Sequence, residues 1–350
     1  MKRIPLLFAC LYLMAAGCSR PAGDTAVTTV TTVTVQKIWD EGTHAAFTSL
    51  IKFNGKYYCS FREGWGHVFD DSGKAEGKIR ILCSKDGASW TSVAHIGLEG
   101  VDLRDPKLSV TPDGRLMVTI GGSIYRDGAL IGATPQVCFS QDGEHFSDLQ
   151  PIEIDPAVRS KDDWLWRVTW HEGTGYGVNY RNGKVMLLST TDGIRYGLVC
   201  PLDPPAEIGD EQPLNESTVR FLPDGRMAVL IRRDPGTALL AVAPAPFQEW
   251  TWRELPLHIG GPDFLVREDG SLIIGGRSFL HPGHIRTVLY KGTVDGGLDE
   301  RYILLPSGGD TSYPGLLIEG DRLWVSYYSA EGASAKTAIF LATLPLTVFD

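Results

Sequence analysis

Three residue types that can act together on a covalent bond stand in polar segments of this 350-residue chain. Tyr313 lies in the segment Asp-Thr-Ser-Tyr-Pro-Gly-Leu, and Glu216 lies in Asn-Glu-Ser-Thr-Val, with Arg232 about one predicted hairpin further on. A phenol is a poor nucleophile at its ordinary pKa of roughly 10. A neighbouring carboxylate such as that of Glu216 can take its proton, and a second carboxyl group must then protonate the leaving oxygen. These residue types permit covalent catalysis with acid–base assistance.

The elements that position these residues are predicted to be strands joined by tight turns. Helical periodicity is nearly absent, and short alternating apolar runs recur instead. In most repeats an Asn-Gly or Asp-Gly pair separates two such runs, which predicts β-hairpins with type I′ turns, whose two central residues have positive φ. The clearest hairpins are predicted at residues 49–60, 108–119, 219–230, 264–275 and 316–326.

A second repeated segment is interleaved with the hairpins. Residues 84–90, 140–146 and 190–196 share one pattern: a hydroxyl residue, any residue, Asp, Gly, two residues and an aromatic. The Asp and hydroxyl oxygens can accept hydrogen bonds from turn amides, and the Gly can take the left-handed conformation. The segments recur about every 50 residues, a period that is typical of propellers with several strands per unit.

These segments resemble the Asp-box, or BNR repeat, of sialidase-type propellers, and the chain as a whole resembles the sialidase superfamily. The resemblance implies an all-β fold, a six-bladed β-propeller of four-stranded antiparallel blades over residues 34–350. A strand predicted at residues 33–39 would complete the last blade and so close the ring, which removes exposed sheet edges.

The resemblance also implies roles for individual side chains. Tyr313 matches the nucleophile, Glu216 matches the base that activates it, and Arg232 matches a clamp for a substrate anion or hydroxyl. Arg286 matches an arginine of the fifth blade, and Asp105 matches an acidic residue of the second-blade pocket. Both are expected to bind substrate.

Two parts of the family pattern are open or altered. The acid/base carboxyl is expected at Asp70 or Asp71, and the sequence does not choose between them. Ala46 stands where sialidases have the first arginine of the triad that binds the substrate carboxylate. Three other arginines are candidates to replace it in substrate binding, namely Arg62, Arg104 and Arg167.

Charge and cysteine content exclude some classes of function. The formal net charge is −9 and no basic run occurs, so nucleic acid is not an expected partner. The cysteines after the N-terminal segment have neither CxxC nor zinc-finger spacing, and the sequence predicts no metal and no cofactor. Buried thiols are expected, with a disulfide between neighbouring strands as the alternative, for example Cys59 with Cys83. The four residues are Cys59, Cys83, Cys138 and Cys200.

The N-terminal segment has the pattern of an export signal. Lys2 and Arg3 precede an apolar run at residues 4–16, which is too short to span a bilayer comfortably. The following Ala-Ala-Gly-Cys resembles a bacterial lipobox. It implies a signal peptide at residues 1–17, lipidation of Cys18 and a tether at 18–33. A plain secretory signal with a chance cysteine is the alternative.

The resemblances together predict a cell-envelope lipoprotein that contacts the membrane through its lipid anchor only. We expect a monomeric exo-glycosidase whose partner is a glycan and whose sugar, acidic or not, stays open. Retaining chemistry through Tyr313 is the leading mechanism, and an inverting mechanism with two carboxylates is the alternative. Since a fold does not fix a function, a non-catalytic glycan-binding propeller and a protein-interaction scaffold are the competing hypotheses.

Overall fold

The structure of the chain is a computed structural model, which describes residues 33–70, 72–208, 212–281, 284–331 and 336–350. The predicted signal peptide, the lipidation site Cys18 and the candidate acid Asp71 lie outside the described residues. Within these ranges the only helical element is a 3-10 turn at Leu346–Phe349. None of the described residues forms a helix long and apolar enough to cross a membrane.

Strands make up the rest of the regular structure and confirm the predicted all-β fold. They are short, and the central strands of each sheet are buried on both faces because neighbouring sheets cover them. In chain order they are β1 Thr34–Trp39, β2 His44–Phe53, β3 Lys56–Gly64, β4 Lys78–Ser84, β5 Thr91–Ile96, β6 Asp102–Val110, β7 Leu116–Arg126, β8 Ala129–Ala133, β9 Gln136–Ser140, β10 Gln150–Pro151, β11 Glu153–Ile154, β12 Trp164–His171, β13 Thr174–Arg181, β14 Lys184–Thr190, β15 Arg195–Pro201, β16 Leu214–Phe221, β17 Met227–Arg233, β18 Leu239–Ala243, β19 Thr251–Glu254, β20 Gly260–Val266, β21 Ser271–His281, β22 His284–Thr293, β23 Gly297–Leu304, β24 Thr311–Glu319, β25 Arg322–Ala330 and β26 Thr337–Pro345.

The strands form small, mainly antiparallel sheets in a propeller-like arrangement, but not the six separate four-stranded sheets that the sequence predicted. Hydrogen bonds define five sheets, of eight, five, five, four and four strands. The eight-stranded sheet contains two antiparallel runs, β24–β25–β26–β1 and β2–β3–β4–β5, which join at one parallel residue pair, His44 with Thr337. Short added strands, β8 and β11, widen the two five-stranded sheets. The predicted pairing of the first strand with the last one is confirmed, since β1 lies antiparallel to β26.

The turn type depends on the length of the loop between the two strands. Asn54 and Gly55 have φ values of 47° and 75°, as the type I′ prediction requires. At the Asp-Gly hairpins predicted at residues 108–119, 219–230 and 264–275 the type I′ prediction is wrong, because only the glycine has positive φ, as at Gly114. There the amide of Gly114 donates to the carbonyl of Thr111 at 2.9 Å, which closes a longer turn.

The second repeated segment folds as its residue types predicted. The Oδ1 atom of Asp86 accepts hydrogen bonds from the amides of Ala88 and Ser89, both at 2.9 Å. Gly87 has a φ of 75°, and its amide donates to the Oγ of Ser84 at 2.8 Å. The same contacts recur around Asp142 and Asp192, so each segment is a self-contained turn that ends one strand and begins the next.

Six strands contact one another in a closed ring, in the order β2, β6, β12, β16, β20, β24 and back to β2. Each of them has the same irregularity, in which two of its residues oppose one residue of the next strand. Such a β-bulge bends the strand and changes the direction of its side chains. We call these residue pairs the ring bulges; they are residues 47–48, 105–106, 166–167, 215–216, 261–262 and 313–314.

Apolar clusters between neighbouring sheets hold the ring in place. One cluster joins the first and last ring strands through Phe47, Leu50, Tyr313 and Tyr328. The four cysteines predicted to be buried are buried, and each is a free thiol, so the alternative Cys59–Cys83 disulfide is absent from the structure.

Where two ring strands approach, there is no room for a side chain at Gly315. A Cβ atom there would lie 2.8 Å from the carbonyl carbon of Ser49 and 2.7 Å from the Oγ of Ser326. We expect Gly315→Ala to lower the free energy of unfolding by roughly 1–3 kcal/mol, because backbone atoms must move. Chemical denaturation measures this. The control is Gly197→Ala, where a Cβ meets nothing within 4 Å and the change should stay within about 0.5 kcal/mol. Equal stability of both variants would contradict the close approach.

Candidate active site

Tyr313 and Glu216 meet although they lie on different strands of the ring. Both are ring-bulge residues, on β24 and β16, and Tyr313 has a φ of 50°. The phenol of Tyr313 donates a hydrogen bond to Oε1 of Glu216 at 2.6 Å. The two side chains belong to residues that are only 7% and 5% exposed. The sequence analysis expected these two residues to act as a pair, and the structure brings them together.

The second oxygen of Glu216 is also fully engaged. Its Oε2 accepts hydrogen bonds from Nη1 of Arg232 at 2.7 Å and from the amide of Gly261 at 3.0 Å. The same Nη1 lies 3.1 Å from the phenol oxygen of Tyr313. A buried carboxylate needs charged or hydrogen-bonding partners, and this set supplies them to both oxygens of Glu216.

The phenol of Tyr313 is held in its protonated form. Burial and the nearby carboxylate of Glu216 raise the pKa of its phenol above the ordinary range, although Arg232 and Arg277 act in the opposite direction. The ring packs against Phe47, with ring centroids 4.9 Å apart. The proton can therefore leave only by transfer to a partner, and Glu216 is already hydrogen-bonded to it.

Gly261 is a site residue that the sequence analysis missed. Its φ is 56°, and a Cβ atom would lie 2.6 Å from ring carbons of Tyr313. Only glycine allows this backbone conformation and this contact together. The signal that could have revealed it is its place in the ring: Gly261 occupies the bulge on β20, as Tyr313 does on β24.

A chain of ion pairs extends from Arg232 away from Tyr313. Nε of Arg232 lies 2.8 Å from Oδ2 of Asp234, and Oδ1 of Asp234 lies 2.8 Å from Nε2 of His258. Burial opposes ionisation of Asp234, but His258 and Arg232 more than offset it and lower its pKa to about 2. Arg232 is therefore fixed between two carboxylates, those of Glu216 and Asp234.

Arg277, also missed by the sequence analysis, covers Tyr313 from another side. Its guanidinium carbon lies 5.1 Å from the centre of the Tyr313 ring. Nη2 of Arg277 donates to Oδ1 of Asp310 at 3.1 Å, and Nη2 also contacts the phenol oxygen of Tyr328 at 2.5 Å. Arg277 follows Arg232 by nearly one repeat period and lies, like it, on the second strand of its sheet. That spacing is a signal that could have identified it.

Arg286, the predicted arginine of this sheet, is not brought to the site. It lies on β22, where it pairs with Ser278, and its Nη1 donates to the carbonyl of Ile285 at 2.8 Å. No described contact links it to Tyr313 or Glu216. The physical reason is position, because β22 is one strand further from the ring than β21, which holds Arg277.

Of the carboxyl candidates, Asp105 faces the site and Asp70 does not. Asp105 is a ring-bulge residue with a φ of 49°, is 7% exposed, and its Oδ1 has no described hydrogen-bond partner. Burial raises its pKa, although Lys107 and Arg104 act against the shift. Asp70 instead accepts hydrogen bonds from Ser72 and from the amide of Lys74 within its own loop, which lower its pKa. Asp70 is therefore a turn residue and a poor proton donor.

The three arginines proposed to replace the missing one have partners within the protein. Arg62 donates to Oδ1 of Asp102 at 2.7 and 3.0 Å and to the carbonyl of Gly66 at 2.9 Å. Arg104 lies 3.2 Å from Oδ2 of Asp102. Arg167 donates to the carbonyl of Pro314 at 2.7 Å and lies 3.4 Å from Asp263. Through these contacts each of them fixes a segment next to the site.

His44, His67 and Asp310 bring three atoms that can bind a metal, two imidazole nitrogens and one carboxylate oxygen, within 4.8 Å of one another. Their surroundings do not fit a metal ion. If Nε2 of His44 bound a metal, its Nδ1 would carry a proton, and this buried atom has no described acceptor. Arg277 also places a positive charge on the same carboxylate. Burial lowers the pKa of His44, so a neutral ring that donates from Nε2 to Asp310 at 3.0 Å accounts for the geometry.

The described cavities do not compete with this site. One of about 770 Å³ is lined by residues between Ala133 and Gly197, and it includes neither Tyr313 nor Glu216. Its strand residues belong to β8 and β10 of one sheet and to β11 and β15 of the next, so it is a groove between two sheets. We therefore locate the site by the convergence of charged side chains rather than by cavity size.

The Arg232–Glu216 pair should be coupled energetically. Arg232→Met leaves a buried carboxylate with one partner fewer, and we expect the free energy of unfolding to fall by on the order of 3 kcal/mol. Adding Glu216→Gln should restore part of that loss, measured by urea denaturation in a double-mutant cycle. The control is Arg226→Met, which removes an exposed pair with Asp224 and should change nothing measurable. Strictly additive effects would contradict the coupling.

No family model matches the sequence, and no curated protein matches it. Solved structures do match. A protein of unknown function from Dyadobacter fermentans has a TM-score of 0.71 at 20% identity, covering 89% of this chain and 99% of its own. A sialidase from Streptococcus pneumoniae has a TM-score of 0.70 at 10% identity, covering 89% and 70%. An intramolecular trans-sialidase from Ruminococcus gnavus has a TM-score of 0.66 at 11% identity, covering 89% and 97%. This chain therefore has the propeller-like, all-β fold of these sialidase structures.

Proposed function

We propose that this protein is an exo-acting glycoside hydrolase in which Tyr313 is the nucleophile and Glu216 is its general base. The observation that carries the proposal is the 2.6 Å hydrogen bond from the buried phenol to the buried carboxylate. The fold shared with sialidases supports a glycosidase but does not establish the activity. Because both residues are less than a tenth exposed, we expect a terminal sugar to be the part of a glycan that reaches them.

The proposed reaction retains the configuration of the sugar. In the first half, the phenol oxygen of Tyr313 attacks the anomeric carbon, its proton moves to Glu216, and the bond to the leaving group breaks. Arg232 contacts both the phenol oxygen and Glu216, so it stabilises negative charge on either atom as the proton moves. In the second half, water displaces the phenol, which recovers its proton from Glu216.

The charges around Tyr313 favour a sugar without a carboxylate on the reacting carbon. Arg232 is paired with Glu216 and Asp234, and Arg277 is paired with Asp310, so three carboxylates face two guanidinium groups. A substrate carboxylate would bring a fourth negative charge to this group. Ala46, which stands where sialidases have an arginine that binds the substrate carboxylate, also favours a sugar without a carboxylate on the reacting carbon. A neutral phenol suits these surroundings better than a carboxylate nucleophile, which would be repelled by its neighbours.

The residue roles can be tested on the soluble body, residues 34–350, with a panel of neutral, uronic and sialic glycosides. We expect release of a neutral monosaccharide, and a loss of kcat of on the order of 10³-fold or more in Tyr313→Phe and Glu216→Gln. The control is Tyr327→Phe, a ring whose hydroxyl donates to Pro306 away from the site. Release of sialic acid would overturn the assignment of a neutral sugar. Glycan binding without hydrolysis by all proteins would favour the glycan-binding alternative.

We also propose that the protein acts at the cell envelope, held there as a monomer by a lipid on Cys18. The support is the sequence pattern before Cys18 alone. Cells fed a radioactive fatty acid should label the full chain, and Cys18→Ser should abolish the label. Label that persists in the variant would contradict the anchor.

A further inference from the structure

We propose that His67, oriented by Asp310, is the residue that protonates the leaving oxygen and later activates the water. This inference rests on the proposed glycosidase function and adds the acid/base residue to it. A poor leaving group needs a proton as its bond breaks. Tyr313 and Glu216 exchange a proton with each other, so another residue must supply this one. Asp70, the described residue expected in this role, is tied into its own turn.

The orientation of His67 is set by one strong contact. Nδ1 of His67 lies 2.7 Å from Oδ2 of Asp310. Burial opposes ionisation of Asp310, but hydrogen bonds from His44 and His67 and the charge of Arg277 hold its pKa well below the usual range. An ionised carboxylate at this distance accepts a hydrogen bond from Nδ1–H, so Nε2 is the nitrogen that can give or accept a proton.

Hydrogen bonds from two arginines fix the backbone around His67. Nη1 of Arg104 donates to the carbonyl of His67 at 3.0 Å, and Nη1 of Arg62 donates to the carbonyl of Gly66 at 2.9 Å. The edge of the His67 ring meets Phe47, with centroids 5.2 Å apart and planes at 87°. Two arginines that the sequence analysis expected to bind substrate therefore position this loop.

Phe47 connects His67 to the nucleophile. Its ring contacts His67 on one side and Tyr313 on another, at centroid distances of 5.2 and 4.9 Å. The side chain of His67 is 45% exposed, whereas that of Asp310 is 29% exposed. His67 thus stands at the open edge of the site, where a leaving group would depart, while Tyr313 lies at its buried floor.

The protons balance over the two halves of the reaction. In the first half, Nε2 of the His67 imidazolium gives its proton to the leaving oxygen as the Tyr313–sugar bond forms. In the second half, neutral Nε2 takes a proton from water as the water oxygen bonds to the anomeric carbon. His67 returns to its cationic form, and Glu216 returns its proton to Tyr313. No other reactant is needed.

Asp105 is the competing proton donor, because it is buried, faces the site and has a raised pKa. The charged or titratable groups near His67 are Asp310, His44, Asp105 and Arg104. His67 differs from Asp105 in having a ring that a carboxylate orients and a side chain that is partly exposed. The experiment below separates the two residues.

The test compares His67→Gln with the unaltered protein on two glycosides of the same sugar, one with a nitrophenyl and one with an alkyl leaving group. A nitrophenolate leaves without a proton, so its release in the first half of the reaction should change less than 10-fold. Release of the alkyl alcohol should fall 10²- to 10⁴-fold. The decline of alkyl-glycoside cleavage as pH rises, which reports loss of the acid's proton, should disappear in the variant.

Asp310→Asn tests the positioning role of that carboxylate, and Asp105→Asn tests the competing proton donor. We expect Asp310→Asn to lower kcat on the alkyl glycoside with little change in KM, and Asp105→Asn to keep the leaving-group dependence of the unaltered protein. If Asp105→Asn loses alkyl cleavage selectively and His67→Gln does not, Asp105 is the acid and our assignment is wrong. If the unaltered protein cleaves neither glycoside, the proposed function itself fails.

A measurement that does not depend on activity completes the test. Nitrogen-15 NMR of the histidine rings should show the neutral form of His67 protonated at Nδ1, with Nε2 unprotonated. Asp310→Asn should shift this equilibrium toward protonation at Nε2, and circular dichroism would confirm that the variant is folded. A neutral His67 ring that carries its proton on Nε2 in the unaltered protein would overturn the proposed orientation.

Discussion

The site depends on one backbone constraint, the bulge that recurs on every strand of the ring. A regular strand would point alternate side chains into the sheets on either side, whereas two residues opposed to one change that direction. At the bulges of β16, β20 and β24 this places Glu216, Gly261 and Tyr313 in contact. The bulge of β2 adds Phe47. The arrangement of the candidate site is thus a property of the ring, and no single ring strand supplies it.

Burial makes this arrangement demanding, since every charge near Tyr313 needs a partner. Arg232 lies between Glu216 and Asp234, and Arg277 lies beside Asp310. The result is a network in which the protein's own carboxylates form ion pairs with these guanidinium groups. A cationic clamp waiting for an anionic substrate would have unpaired arginines, and the described side chains around Tyr313 contain none.

Local sequence patterns predicted much of this structure. They failed where the pairing register of the strands decides which side chains reach the site. Alternation and Asn-Gly or Asp-Gly turns predicted the strands and hairpins, because both are set by neighbouring residues. The Tyr313–Glu216 pair followed from two matched segments. The prediction of Arg286 as the site arginine instead of Arg277 shows the limit of local patterns. Both arginines lie in similar runs of sequence, and only the pairing of β21 with β20 decides which one faces the ring. The predicted number of separate sheets was wrong because one residue pair joins the first and last antiparallel runs.

The same limit explains why the role of Asp310 could not be read from the sequence. Asp310 stands three residues before Tyr313 in a segment chosen for its tyrosine, and its partners come from residues 44, 67 and 277. Only the closed ring brings β2, the loop after β3 and β21 to one carboxylate. That carboxylate neutralises an arginine on one oxygen and orients an imidazole with the other. A single side chain therefore links the arginine over the Tyr313 ring to the imidazole at the exposed edge of the site.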